Sequence, residues 1–184
     1  MRADARRNYD RLLSEARSAF AAHGTDASLE DVARRAGVGI GTLYRHFPNR
    51  HALLSAVFED AVSDLLARAR ELGGAAEPCT ALVTWLREMV EHAVEYRGLS
   101  RALMSVTNNN GSALSRCSDP IREAGTTLLT RAQQQGTIRN DVAITDLLQL
   151  THAIALAAEE SPGDPHLTDR LLNLTLKGLK PAHP

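Results

Sequence analysis

Apolar residues recur at helical spacing along most of the chain, and no stretch alternates with period two for long enough to form a strand. The pattern predicts an all-α protein of about nine helices. Tyr9, Leu12, Leu13, Ala16, Ala19 and Phe20 mark a first helix that His23-Gly24-Thr25 closes. Residues 28–50 then read as two short helices joined by a tight turn, the arrangement of a DNA-reading helix-turn-helix. Ser28 is placed to cap the first of these, with Asp31 as a short version of the reciprocal capping partner. Val32 and Ala36 share one face, and the small Ala33 lets a second helix approach closely. Gly37 stops the helix in the left-handed conformation that a Cβ resists, and Val38 turns back to the core. The second helix carries Leu43 and Phe47 on its inner side at i and i+4, and Pro48 ends it. A polar, basic and aromatic outer face remains, made of Thr42, Tyr44, Arg45 and His46.

The remaining elements are all helical. Asn49 caps a fourth helix whose stripe of Leu53, Leu54, Val57, Phe58, Ala61, Leu65 and Leu66 runs to Gly73-Gly74. At roughly 1.5 Å per residue such a helix is over about 30 Å long, enough to link two bodies. A fifth helix is predicted for Pro78–Tyr96, with Leu82, Trp85, Leu86, Met89, Val90 and Ala93 inward, and a short one near Leu99–Ser105. Asn108-Asn109-Asn110-Gly111 reads as a loop, and Asp119-Pro120 as the start of a helix running to Gln135-Gly136. Helices at Ile144–Glu160 and Leu167–Leu179, separated by Ser161-Pro162-Gly163-Asp164-Pro165, complete the chain.

Charge changes this picture in one respect. Across 184 residues the net charge is −1, yet residues 1–50 carry +3 and the remainder −4, so the basic end coincides with the helix-turn-helix. Cys79 and Cys117 are the two cysteines, too few for a disulfide framework, and no run approaches the length of a membrane span. A cytoplasmic protein with no membrane association is expected. No phosphate-binding glycine loop, nucleophile elbow or catalytic constellation is present in the sequence, so neither enzyme activity nor a cofactor is expected. Glu88 and His92, with Glu91 and Glu95, sit at helical spacing; they read as a solvated face with i,i+4 pairs, with a metal or acid-base site as the alternative.

The run Gly41-Thr42-Leu43-Tyr44-Arg45-His46-Phe47-Pro48-Asn49-Arg50 resembles the signature of the TetR (tetracycline-repressor) family of bacterial transcriptional regulators. The likeness spans about residues 8–60. It implies a DNA-binding domain at residues 1–50, helix four (49–73) as connector, and a helical effector-binding and dimerisation domain at 51–184. In a helix-turn-helix the N-terminal residues of the second helix meet base edges, which here are Gly39, Ile40 and Gly41. Ile40 offers an apolar contact to a thymine methyl, the glycines let the backbone come close, and Arg45 is suited to a bidentate pair with guanine. By resemblance, Thr42, Tyr44, His46 and Arg50 occupy DNA-contacting positions. Tyr44 and His46 would donate to phosphates and Arg50 would serve as an ionic anchor, with Ser28 adding a hydroxyl or backbone contact. Where the family often carries Ser, Thr or Asn, this chain has Gly39.

One recognition helix covers too few base pairs to single out a site, so a homodimer on a palindromic double-stranded operator is expected. The last two helices have apolar residues on more than one face. Leu147, Ile154, Ala155 and Ala158 in one, and Leu171, Leu172 and Leu174 in the other, are the candidate interface, which the resemblance implies to be a four-helix bundle. The resemblance also implies a small-molecule effector pocket in the middle helices, with Trp85, Met89, His92, Met104, Cys117, Leu128 and His152 as candidate lining; plain core is the competing reading for each. The expected output is a repressor released from its operator by an effector. A constitutive DNA binder without a ligand and a helical interaction module are the alternatives.

Overall fold

Turn chemistry sets most of the helix ends. In a computed structural model of the protein, residues 2–95 and 113–180 are described, with side chains described for 4–95 and 118–180. They form eight α-helices: α1 (Arg2–His23), α2 (Leu29–Arg35), α3 (Ile40–His46), α4 (Arg50–Leu72), α5 (Pro78–Glu95), α6 (Ala113–Gln134), α7 (Ile144–Glu160) and α8 (Leu167–Leu179), with a 3-10 turn at Gly24–Asp26. No strand occurs among the described residues, and the all-α expectation holds. The short helix expected near Leu99–Ser105, the loop at Asn108–Gly111 and the side chains of Met104 and Cys117 lie outside the described residues.

One boundary differs from the sequence reading. Pro120, expected to begin a helix, lies inside α6. Proline removes a single intrahelical hydrogen bond, and Pro120 is exposed, so water can take the place of the missing donor. At the start of α4 the sequence reading holds in detail: Asn49 Oδ1 accepts from the Ala52 N–H at 2.9 Å.

Two compact units are distinguished, with the break between Ala61 and Val62 inside α4. The first is organised around Leu12, Ala16 and Phe20 of α1, Val32 and Ala33 of α2, Leu43 of α3, and Leu53 and Val57 of α4, all buried. Each of the Leu, Val and Phe side chains contributes on the order of 1.5–3 kcal/mol by leaving water, and each alanine methyl about 0.8 kcal/mol. In the second unit α5 packs on α7 and α8, and Val90, Ile154, Ala155 and Leu172 form one buried cluster. Trp85 is completely buried there, and its Nε1 donates to the Leu65 carbonyl at 3.0 Å. Gly125 of α6 admits this packing, because a Cβ there would lie 2.8 Å from the indole Cζ3 and 2.7 Å from Ile144 Cδ1. Arg131 of α6 closes the end of α4 by donating to the carbonyls of Gly73 and Ala75.

Candidate nucleic-acid interface

The turn between α2 and α3 is a Schellman closure. Gly37, at φ 69°, donates to the Arg34 carbonyl at 3.1 Å, and Val38 donates to that of Ala33 at 3.0 Å. Before it, Ser28 Oγ accepts from the Asp31 N–H at 3.2 Å, so Ser28 is the N-cap that its position suggests. The reciprocal half of the box is absent. Asp31 is one methylene shorter than glutamate, and its carboxylate instead accepts from Arg34 Nη2 at 2.6 Å. That guanidinium holds the Asp31 carboxyl below its ordinary pKa. Ser28 remains exposed, its hydroxyl donating to Glu30 Oε2 at 3.3 Å.

The glycines at the head of α3 leave bare backbone. Gly39 caps the helix through its carbonyl alone, accepting from Thr42 N–H at 2.8 Å, with no side-chain cap. A Cβ built on Gly39 or Gly41 would meet nothing within 4 Å. The protein's own packing therefore does not demand glycine at either position, and both present open, close-approach surface.

Along α3 the two faces separate cleanly. Leu43 and Phe47 are buried, whereas Tyr44 is 45% exposed and Arg45 also faces solvent. Arg45 Nη2 donates to Thr42 Oγ1 at 2.9 Å, so these two share a bond along the outer face. Ile40 is half-buried and packs against the first unit's core, leaving only part of its side chain for the thymine contact expected of it. His46 is half-buried against Tyr9 of α1, ring centroids 6.0 Å apart and edge-on; Tyr9 also lies 5.0 Å from the Phe47 ring. Burial, then the charges of Asp60, Glu59 and Asp10, raises the Tyr9 hydroxyl above its ordinary 10.0. Sequence spacing marked Tyr9 only as a core position, since nothing local ties residue 9 to residue 46.

Arg50 departs from its expected role. Its Nη1 donates to the carbonyls of both Thr25 and Ala27 at 2.7 Å, and the side chain is half-buried. The guanidinium pins the segment entering α2 to the start of α4 instead of standing clear as an ionic anchor. Arg6, Arg7, Arg11, Arg34 and Arg35 are exposed on α1 and α2, with Arg7 paired to Asp4 and Arg34 to Asp31.

Residues 12–57 match the family model described as "Bacterial regulatory proteins, tetR family", and residues 77–181 match "Transcriptional regulator SbtR-like, C-terminal domain". The chain belongs to the TetR family. It is a DNA-binding transcriptional regulator. A TetR transcriptional regulator of known structure, SCO0520 from Streptomyces coelicolor, is 36% identical with a TM-score of 0.79, covering 95% of this chain and 99% of that one. A TetR transcription regulatory protein from Mycobacterium vanbaalenii is 35% identical at a TM-score of 0.75, covering 98% and 99%. The HTH-type transcriptional repressor KstR2 of Rhodococcus jostii is 26% identical, covering 94% of this chain and 91% of the repressor.

Within this TetR-family chain the pocket candidates of the second unit differ in burial. Trp85 and Leu128 are packed core, Met89 and His92 are half-buried, and His152 faces solvent. Glu88, the carboxylate of the alternative metal reading, accepts from Arg68 Nε at 2.9 Å. Among the described residues, no group of three His, Cys, Asp or Glu side chains is placed to hold a metal.

The interface candidates require a correction. Leu147, Ile154, Ala155 and Leu172 are buried by the chain's own helices, so they stabilise one subunit and have no surface left for a second. Ala158 and Leu171 are half-buried. Leu174 is 64% exposed, and Leu150 and Leu156 of α7, which the sequence reading did not select, are exposed at 44% and 38%.

Proposed function

We propose that this regulator is a homodimeric repressor that grips a palindromic operator with the outer face of α3 and leaves it when a small molecule binds the second unit. The observation that carries the reading is the division of α3, with Leu43 and Phe47 buried while Tyr44 and Arg45 face outward beside glycines that nothing covers. Gly39, Gly41 and the accessible part of Ile40 meet base edges, Arg45 pairs with guanine, and Thr42, Tyr44 and His46 position the helix on phosphates. Ser28 adds a contact at the α2 N-terminus. Arg50 acts through the loop it braces. A dimer supplies the second reading head, and the exposed Leu150, Leu156 and Leu174 form its contact surface. Repression is supported by the name of the Rhodococcus jostii relative, and a cytoplasmic setting by the DNA target.

Selection of duplexes from a random library by the purified chain tests this directly. An enriched inverted repeat is expected, bound with a steep salt dependence, and Arg45→Ala relaxes selection at one or two positions in each half-site. Failure to enrich any sequence at low salt overturns the reading. In a run-off transcription assay the same repeat placed over a promoter is expected to lower transcript yield; an increase overturns the repressor assignment.

A further inference from the structure

A groove of about 480 Å³ lies in the second unit between α4 and α6, within the size range of small-molecule sites. Leu66 and Ala69 of α4 and Pro120 and Ala124 of α6 give it an apolar floor, while Arg70 lines it from α4 and Glu123 from α6. Both charged side chains are exposed, and among the described residues neither has an ion-pair partner. Nor do they pair with each other across the gap. Their neighbours of opposite sign are committed elsewhere, Glu71 to Arg68 at 3.0 Å and Arg122 to Asp119 at 2.8 Å. Thr127, also lining the groove, donates its hydroxyl to the Glu123 carbonyl at 3.1 Å and so offers a ligand only its acceptor side.

The geometry points to this groove as a binding site for a small zwitterionic amphiphile, its anionic end on Arg70, its cationic end on Glu123 and an aliphatic middle over the floor. A forked guanidinium suits a carboxylate, and an unpaired carboxylate suits an ammonium. The groove is coupled to the core through α4. Leu65, one residue before Leu66, accepts the Trp85 indole hydrogen bond, and Arg131 holds the carbonyl of Gly73 at the groove's end. Trp85 is the chain's single tryptophan and serves as an internal reporter. Use of the groove to control DNA binding rests on the proposed function; occupancy of the groove does not.

Isothermal titration of the full chain with 6-aminohexanoate, 8-aminooctanoate and 10-aminodecanoate, followed in parallel by Trp85 emission, tests the site. At least one of the three is expected to bind saturably at one per chain, with octanoate and octylamine weaker by about fivefold. Arg70→Gln and Glu123→Gln, both exposed and outside the core, are each expected to weaken that binding by about fivefold while melting as the wild type does. Absence of saturable binding, equal binding of the one-headed molecules, or unchanged affinity in both variants overturns the proposal. With the binding amphiphile identified, its effect on a selected duplex separates the two readings. Release of DNA supports regulation through the groove, whereas binding without release leaves the groove in place and counts against it as the effector site.

Discussion

Replacing Arg50 by alanine separates bracing from phosphate anchoring. Two hydrogen bonds at 2.7 Å, from one guanidinium nitrogen to the carbonyls of Thr25 and Ala27, are lost together. Charged hydrogen bonds contribute about 1.5–3 kcal/mol each. Ala27 is buried and Thr25 half-buried, so water replaces the donor at one carbonyl better than at the other. The net loss is about 2 kcal/mol, which in a unit of this size lowers the melting temperature by about 10 °C. Removing a phosphate contact would instead reduce the slope of log affinity against log salt by about 1 and leave folding alone. Thermal melts by circular dichroism and a salt titration of binding to a selected duplex distinguish the two. The expected result is a lower melting temperature, uniformly weaker binding to all sequences and an unchanged slope. A variant that melts like the wild type but loses one unit of slope refutes the brace.

Three further outcomes follow from packing and charge. Gly125→Ala drives a methyl to within 3.0 Å of Trp85 and Ile144 and should destabilise the second unit by about 1–3 kcal/mol, read by chemical denaturation; a neutral effect means that the indole moves aside. Leu174→Glu, at a 64% exposed position, should convert dimer to monomer in sedimentation velocity without lowering monomer stability, and an unchanged dimer removes this face from the interface. The raised Tyr9 hydroxyl favours folding up to pH 10.0, the ordinary value, and this stability is lost as pH rises through the higher folded value, because the unfolded chain ionises first. Tyr9→Phe should flatten that alkaline decline in melting temperature; an identical decline in the variant places the cause elsewhere.

The reading head was legible in the sequence because its signals are local. Ser28, Gly37 and Pro48 act within a turn or two of themselves, and the i,i+4 spacing of Leu43 and Phe47 identifies the inner face without reference to the rest of the chain. Turn clusters fixed α7 and α8 for the same reason, and both span the residues expected of them. Pro120 misled because a proline at the first turn and an exposed proline inside a helix look alike in sequence. The partners of Arg50 lie 23 and 25 residues away, those of Trp85 and Glu88 20 residues away, and no periodicity encodes such pairings. Apolar residues on two faces of α7 and α8 announced two buried surfaces, but which face meets the chain's own core is set by tertiary packing that local spacing does not encode. Leu172 is covered by its own subunit while Leu174, two positions on, is not. The groove between α4 and α6 was likewise hidden, since Arg70 and Glu123 read separately as ordinary surface charges.

Amide hydrogen exchange of the full chain, with and without a selected duplex, addresses the reading head itself. Contact between the outer face of α3 and DNA predicts slowed exchange across residues 39–46, with smaller effects at the start of α2. Exchange in α3 that is unchanged by a saturating duplex would contradict the assignment, wherever else in the chain protection emerged.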